Sequence, residues 1–300
     1  MSGGPRVLIL GSAGQVGSEL QRCFASYGEI VAADRKLVDL TAPDQIRDLV
    51  RRVRPQVILN AAAYTAVDRA ESEPELAFAI NAQAPGVLAE EALKADSLLI
   101  HYSTDYVFDG SKDSAWLETD KPNPLNAYGA SKLAGEEAIR RTGGKYLIFR
   151  TSWVYGPHGS NFLFTMLRLG RERSEISVVD DQIGAPTTSI ELADATRAVV
   201  DGVLAGRFGK PEEWAGLYHM TCAGSTSWCG FAREIFVQAT HLPDNKCPVV
   251  NPIPSRAYPT PARRPSNSVL CNEKLHARFG LGLAPWQSAL SQVIRLLPAE

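Results

Sequence analysis

The 300-residue chain has little that would tie it to a membrane, a nucleic acid or an oxidising compartment. Its formal net charge is −2, so no basic field points to nucleic acid or to an acidic lipid surface. No apolar run approaches the roughly 18 residues that a membrane helix needs. The opening Met1-Ser2-Gly3-Gly4-Pro5-Arg6 runs straight into a strand-like segment and carries no signal-peptide pattern, which argues against export. The five cysteines (Cys23, Cys222, Cys229, Cys247 and Cys271) are odd in number and scattered, with no Cys-x-x-Cys. That spacing argues against a disulfide framework or a zinc site and suits reduced thiols in a cytoplasmic enzyme. Internal repeats and low-complexity tracts are also missing.

What is present is the composition of an ordinary globular protein, 45% hydrophobic and 21% charged. Short apolar runs alternate with helical patterns. Val7-Leu8-Ile9-Leu10, Ile30 to Ala33, Val57-Ile58-Leu59, Leu98 to Tyr102 and Tyr146 to Phe149 read as strands. Helical periodicity fills the gaps, including a long stretch from about Glu73 to Lys94. Strict alternation predicts an α/β fold, a Rossmann-type doubly wound parallel sheet. Residues 1–150 are expected to form an NAD(P)-binding Rossmann domain. Residues 151–300, where prolines punctuate short elements, are expected to be mainly a substrate-binding lobe, with some segments returning to the first domain.

Gly11, Gly14 and Gly17 form a G-x-x-G-x-x-G turn between the first strand and the first helix. The first glycine permits the tight turn, the second lets backbone approach a pyrophosphate, and the third lets helix pack on strand. The helix N-terminus then offers free N–H groups to phosphate. Asp34 ends the second strand, where a carboxylate reads ribose hydroxyls and favours NADH. Arg35 and Lys36 follow and could neutralise a 2′-phosphate, so NADPH stays open.

Tyr128 and Lys132 are four residues apart, on one face of a predicted helix. A cation beside the phenol should pull its pKa down from about 10 toward working pH, which would make a general acid for carbonyl reduction. Ser103 and Thr104 end the fourth strand and each offers a hydroxyl; spacing does not choose between them. His101, inside a strand pattern, reads as a packed or hydrogen-bonded histidine. Arg263 and Arg264 are either diphosphate ligands or an exposed basic pair.

Several strings resemble the extended short-chain dehydrogenase/reductases and, within them, the dTDP-4-dehydrorhamnose reductase family. They are Gly14 to Gly17, Asn60 to Asp68, His101-Tyr102-Ser103-Thr104-Asp105-Tyr106-Val107-Phe108, Tyr128 to Gly135, Phe149 to Tyr155, Asp181 to Thr187 and Ala257 to Pro265. The resemblance spans nearly the whole chain. It implies NADPH- or NADH-dependent reduction of the C4 ketone of dTDP-4-dehydro-β-L-rhamnose. It implies a catalytic set of Thr104, Tyr128 and Lys132, and so selects Thr104 over Ser103. By the same resemblance Gly11, Gly14, Gln15, Val16 and Gly17 hold the pyrophosphate. Asp34, Asp39 and Leu40 surround the adenosine, and Ala63, Tyr64, Thr65 and Tyr102 line the cofactor with Tyr128 and Lys132. Thr104, Asp105 and Trp153 would contact the sugar nucleotide.

Some family members bind Mg²⁺ with glutamates where two subunits meet. Glu19 and Glu191 match two of those positions, but the third falls within Val293-Ile294-Arg295-Leu296-Leu297, which has no carboxylate. Mg²⁺ and a possible homodimer therefore rest on an incomplete set. Two other functions share the fold. One is a non-catalytic NAD(P)-binding regulatory subunit, against which the intact Thr104, Tyr128 and Lys132 speak. The other is a sugar-nucleotide epimerase or dehydratase; a dehydratase would need a second carboxylate where Tyr106 follows Asp105.

Overall fold

The computed structural model describes residues 4–242 and 247–297; Met1–Gly3, the first part of the N-terminal stretch read above, lie outside the described residues. The chain runs β1 (Val7–Leu10), α1 (Gln15–Phe24), β2 (Ile30–Ala33), α2 (Pro43–Val53) and β3 (Val57–Asn60). Short helices α3 (Val67–Ala70) and α4 (Pro74–Phe78) lead through a π-helical turn (Ala79–Gln83) into α5 (Ala84–Lys94). β4 (Leu98–Thr104), α6 (Ala127–Thr142) and β5 (Tyr146–Thr151) complete the first half. The second half comprises β6 (Val154–Tyr155), α7 (Phe162–Glu172), β7 (Glu175–Val179), β8 (Ile183–Gly184), β9 (Thr187–Thr188), α8 (Ser189–Leu204) and α9 (Pro211–Trp214). It ends with β10 (Gly216–His219), β11 (Thr226–Ser227), α10 (Trp228–Gln238), β12 (Val249–Ile253), α11 (Glu273–Phe279) and α12 (Trp286–Arg295).

Six strands form one sheet in the order β10-β5-β4-β3-β1-β2, all parallel. β1, β3 and β4 are buried along their whole length, as continuous apolar runs covered on both faces must be. Alternate side chains feed two cores. Val7, Ile9, Val57 and Leu59 pack with Leu20 and Phe24 of α1 and Val199 and Val200 of α8. Leu8, Leu10, Ile58, Leu99 and Ile148 pack with Ile46 and Leu49 of α2, Leu88 of α5 and Ile139 of α6. The strand order reverses between β2 and β3 on either side of β1, which opens a crevice at the carboxyl ends of the strands.

The second half is not separate from this sheet. β10 lies beside β5, with Gly216 paired to Leu147, and α8 packs against α1. Smaller pairs, β7 with β12, β8 with β11 and β6 with β9, build the remainder. Among the described residues no helix is long and apolar enough to cross a membrane. None of the five cysteines is in a disulfide.

Candidate active site

The glycine turn is built for close approach. Gly11 has φ +72°, and a Cβ there would sit 2.6 Å from the Ala62 nitrogen. A Cβ on Gly17 would sit 2.1 Å from the Gly11 carbonyl oxygen. α1 starts at Gln15, and its cap residue Gly14 offers no side chain to the first N–H groups. Bare N–H groups at a helix start, beside a turn with no room for side chains, make a cradle for a diphosphate. Gly17→Ala should therefore weaken reduced-dinucleotide binding by about fivefold or more, since overpacking at fixed backbone costs about 1–3 kcal/mol. Fluorescence titration measures this, and unchanged affinity would remove the turn from the site.

Asp34 is half-buried and closes the bend after β2: its Oδ1 accepts from the Lys36 nitrogen at 2.9 Å and the Leu37 nitrogen at 3.3 Å. Arg35 and Lys36 are exposed. Asp39 accepts from the Thr41 nitrogen and hydroxyl at 2.9 and 2.8 Å, bonds that hold its carboxyl below the usual range. Leu40 leans on the core beneath α2. Gln15 Oε1 accepts from Asn161 Nδ2 at 2.9 Å, and Val16 packs against the core on the α1 face. Ala63, Tyr64 and Thr65 follow β3. Tyr64 is pinned at both ends: its nitrogen donates to Asn81 Oδ1 at 2.8 Å and its hydroxyl to Glu73 at 2.5 Å.

The helix bearing Tyr128 and Lys132 has a defined start. Asn126 caps α6, its Oδ1 accepting from the Gly129 nitrogen at 2.8 Å. Its Nδ2 donates to the Arg263 carbonyl at 2.8 Å, which ties the cap to the Ala257–Pro265 string. Asn81 reaches from the π-helical turn to Ser131 Oγ at 3.0 Å, and Ser131 Oγ donates to the Tyr128 carbonyl at 2.7 Å. These bonds fix the first turn of the helix, where Tyr128 sits.

The two hydroxyls ending β4 part company. Ser103 Oγ turns away and donates to Glu136 Oε1 at 2.5 Å. Thr104 lies beside Tyr128, near enough for its hydroxyl to favour the ionised phenol. Thr104 Oγ1 also donates to Asp105 Oδ1 at 3.0 Å and accepts from the Tyr106 nitrogen at 3.1 Å. Asp105 is buried, and burial pushes its carboxyl up to about 6 against the hydrogen bond from Thr104.

The expected pull of Lys132 on the Tyr128 phenol is not what the structure has. Burial pushes Tyr128 up to about 12; the neighbouring Thr104 hydroxyl opposes that rise and the Asp105 charge adds to it. Lys132 is spent elsewhere: its Nζ donates to the Tyr102 carbonyl at 2.6 Å and lies 3.2 Å from His101 Nε2. Helical spacing brings the two residues to one face, but the β4 backbone captures the lysine. Lys132 is itself buried, which pushes it down to about 8 against the nearby Glu136 charge. Tyr102 contributes that carbonyl, whereas its hydroxyl lies 2.7 Å from Thr196 Oγ1 of α8, inside the core. His101 is buried and hydrogen-bonded, as a strand histidine should be, and stays neutral because burial and the Lys132 charge drive it well below its ordinary range.

Trp153 follows β5 with φ +47°, a strained backbone for a large side chain. Its ring lies on Trp228 of α10, centroids 3.6 Å apart and 8° from parallel. Of the arginine pair, Arg264 is committed to Asp68 at 2.9 Å, while the Arg263 side chain is exposed. Within one chain, Glu19 and Glu191 are already partnered. Arg22 Nε binds Glu19 at 2.6 Å, and Glu191 Oε2 accepts from the Ala284 nitrogen at 3.0 Å. α12 carries no carboxylate, and among the described residues no three His, Cys, Asp or Glu side chains could hold a metal. This donor set does not fit a hard cation.

Sequence reading gave no role to Asn60 and Arg150, which it met only inside longer strings, and passed over Asn81, Glu136 and Trp228. A polar residue ending an apolar run, as Asn60 does, was the available signal; the π-helical turn that aims Asn81 leaves none.

The family model for the RmlD substrate binding domain matches residues 5–298. The dTDP-4-dehydrorhamnose reductase of Burkholderia thailandensis is 48% identical, covering 98% of this chain and 100% of that one. The Escherichia coli K12 reductase of the same name is 46% identical over 97% of each. A crystal structure of the Bacillus anthracis dTDP-4-dehydrorhamnose reductase in complex with NADP superposes with a TM-score of 0.88 at 37% identity, over 97% of this chain and 99% of that one. The Thermus thermophilus UDP-glucose 4-epimerase complex with NAD shares the fold, with a TM-score of 0.74 at 22% identity.

Proposed function

We propose a ketone reduction for this chain, which belongs to the dTDP-4-dehydrorhamnose reductase family: an NAD(P)H-dependent oxidoreductase that converts dTDP-4-dehydro-β-L-rhamnose to dTDP-L-rhamnose. The observation that carries it is the meeting of the Thr104 hydroxyl and the Tyr128 phenol, with Lys132 one helical turn on, at the carboxyl edge of a sheet that also bears the glycine cradle. The cradle fits a dinucleotide, which when bound supplies the hydride.

This chain's residues do the rest. Gly11 to Gly17 seat the diphosphate, with Asp34, Asp39 and Leu40 toward the adenosine. Ala63, Tyr64, Thr65 and Tyr102 would line the bound dinucleotide. Tyr128, held protonated by burial, gives its proton to the C4 oxygen as charge develops there. Thr104 turns its hydroxyl proton from Asp105 to that oxygen and donates a hydrogen bond there. Asp105 and Trp153 hold the sugar nucleotide. Residues 1–150 serve mainly the dinucleotide and 151–300 mainly the sugar nucleotide, with β10 and α8 lent back to the first half.

Mixing the protein with NADPH and the 4-keto sugar nucleotide tests this. Absorbance of the reduced nicotinamide should fall in proportion to the ketone added, and dTDP-L-rhamnose should appear. Conversion of the 4-keto sugar nucleotide to an isomer, with no net loss of NADPH, would mark an epimerase. Cofactor bound with no turnover would mark a regulatory subunit.

A further inference from the structure

Trp153 sits in a seat made by the second half of the chain. Its backbone takes φ +47°, a conformation that a non-glycine residue keeps only where its surroundings over-determine it. Trp228 covers one face of the indole, with ring centroids 3.6 Å apart and planes 8° from parallel. Gly184 of β8 closes in on the same ring. A Cβ there would lie 2.5 Å from Trp153 Cε2 and 2.7 Å from its Nε1, so only glycine leaves the ring room. β8 pairs with β11, Gly184 opposite Thr226, and β11 leads directly into α10, whose first residue is Trp228. Both contacts therefore come from one joined unit. Trp228 is itself anchored. Ser227 caps α10, its Oγ accepting from the Gly230 nitrogen at 2.9 Å and donating to Asp180. Phe162 of α7 lies against the Trp228 ring, centroids 4.7 Å apart.

We propose that Trp228 is a positioning residue that presets the Trp153 indole for the sugar nucleotide. This role rests on the reductase reading, in which Trp153 holds that substrate. An indole free to turn would give up rotamer freedom each time substrate bound, whereas one already stacked does not. An indole offers a sugar a broad apolar face, and only a ring fixed in angle offers the same face each time. Both rings are half-buried, so the pair is not a sealed piece of core: Trp153 keeps surface for a ligand while Trp228 backs it. The sealed core lies one layer deeper, where Phe231, in contact with Phe162, packs on Tyr155; Phe231 and Tyr155 are fully buried. Trp228 acts on the sugar nucleotide only through Trp153, so its loss should weaken substrate affinity and leave proton transfer at Tyr128 less affected.

Circular dichroism and steady-state kinetics test this together. Two indoles in face contact couple their transitions and give a two-signed band, which Trp228→Phe should abolish. In the wild type that band should be present, and it should persist when dTDP-L-rhamnose is bound, because the indole stays in its seat. Trp228→Leu should raise KM for the 4-keto sugar nucleotide about two- to tenfold, the factor that loss of an aromatic pair implies, and should lower kcat less. Trp228→Phe keeps a ring against Trp153 and should restore most of the affinity. Adding Trp228→Leu to Trp153→Leu should cost nothing further, since the two act as one unit. A purely structural Trp228 would give additive effects and so overturn the proposal. A wild-type band that vanishes once dTDP-L-rhamnose is bound would overturn it too, even if Trp228→Leu does not fold. Wild-type protein that has the band but neither binds nor reduces the sugar nucleotide would instead strike at the reductase reading, on which the role rests, and leave the stack standing.

Discussion

Tyr128→Phe should lose about 10²- to 10⁴-fold in kcat, the usual contribution of a positioned general acid, while binding NADPH as the wild type does. The ring is kept, so its edge contact with Tyr106, centroids 5.7 Å apart, is preserved. Only the proton donor at the Thr104 hydroxyl is lost. Single-turnover absorbance measures the rate, and fluorescence titration checks the cofactor. Because burial holds the phenol at about 12, Tyr128 is protonated throughout the working range. No tyrosine limb should appear in the pH profile near neutrality. A limb near 8 belongs to Lys132, whose ammonium is lost as pH rises through that value. Turnover within a few fold of wild type would dismiss Tyr128 as the acid.

Glu136→Gln should destabilise the fold by about 3–5 kcal/mol, the usual result of removing one partner from a buried ion pair. Arg150 and Glu136 side chains are 2% and 1% exposed and joined by two hydrogen bonds of 2.8 and 2.6 Å. The guanidinium also lies over the Phe108 ring, 5.0 Å from its centroid. With Glu136 neutral, the Arg150 charge is left buried without an anion, and the Ser103 hydroxyl loses a charged acceptor. Lys132 also loses the one nearby charge that holds its pKa up, so its titration should fall further. Urea denaturation gives the stability difference, and adding Arg150→Met to Glu136→Gln should restore much of it. A single variant within about 1 kcal/mol of wild type would show that the pair is not the constraint its burial implies.

Most of the sheet was legible because strands buried on both faces must be apolar throughout, and Val7–Leu10, Val57–Leu59 and Leu98–Ile100 are. The glycine turn was legible for a like reason: only glycine tolerates the φ of Gly11 or the 2.1 Å approach at Gly17. Spacing placed Tyr128 and Lys132 on one helix face. It did not place the Lys132 ammonium, because its acceptor is the Tyr102 main-chain carbonyl, which every residue type would present. Thr104 and Ser103 looked alike in sequence; the strand pleat separates them, sending one hydroxyl to Tyr128 and the other to Glu136. Arg264 finds Asp68 across 196 positions, and Trp153 stacks on Trp228 across 75 (228 − 153). Neither pairing leaves a local trace. The second half, with its two-residue strands, has too little periodicity to read.

The interleaving of β10 and α8 with the first half has a consequence for how the protein is made. A ribosome delivers residues in order, at about 5–20 per second. The helices that cover one face of the sheet, α2, α5 and α6, are all present once residue 142 has emerged. The opposite face has only α1 until α8 arrives, and β5 stays an open edge until residues 216–219 do. For several seconds at that rate the nascent chain carries half a finished protein with one apolar side bare and one strand unpaired. The stretch between residues 151 and 219 is therefore the one that completes both the uncovered face and the open edge.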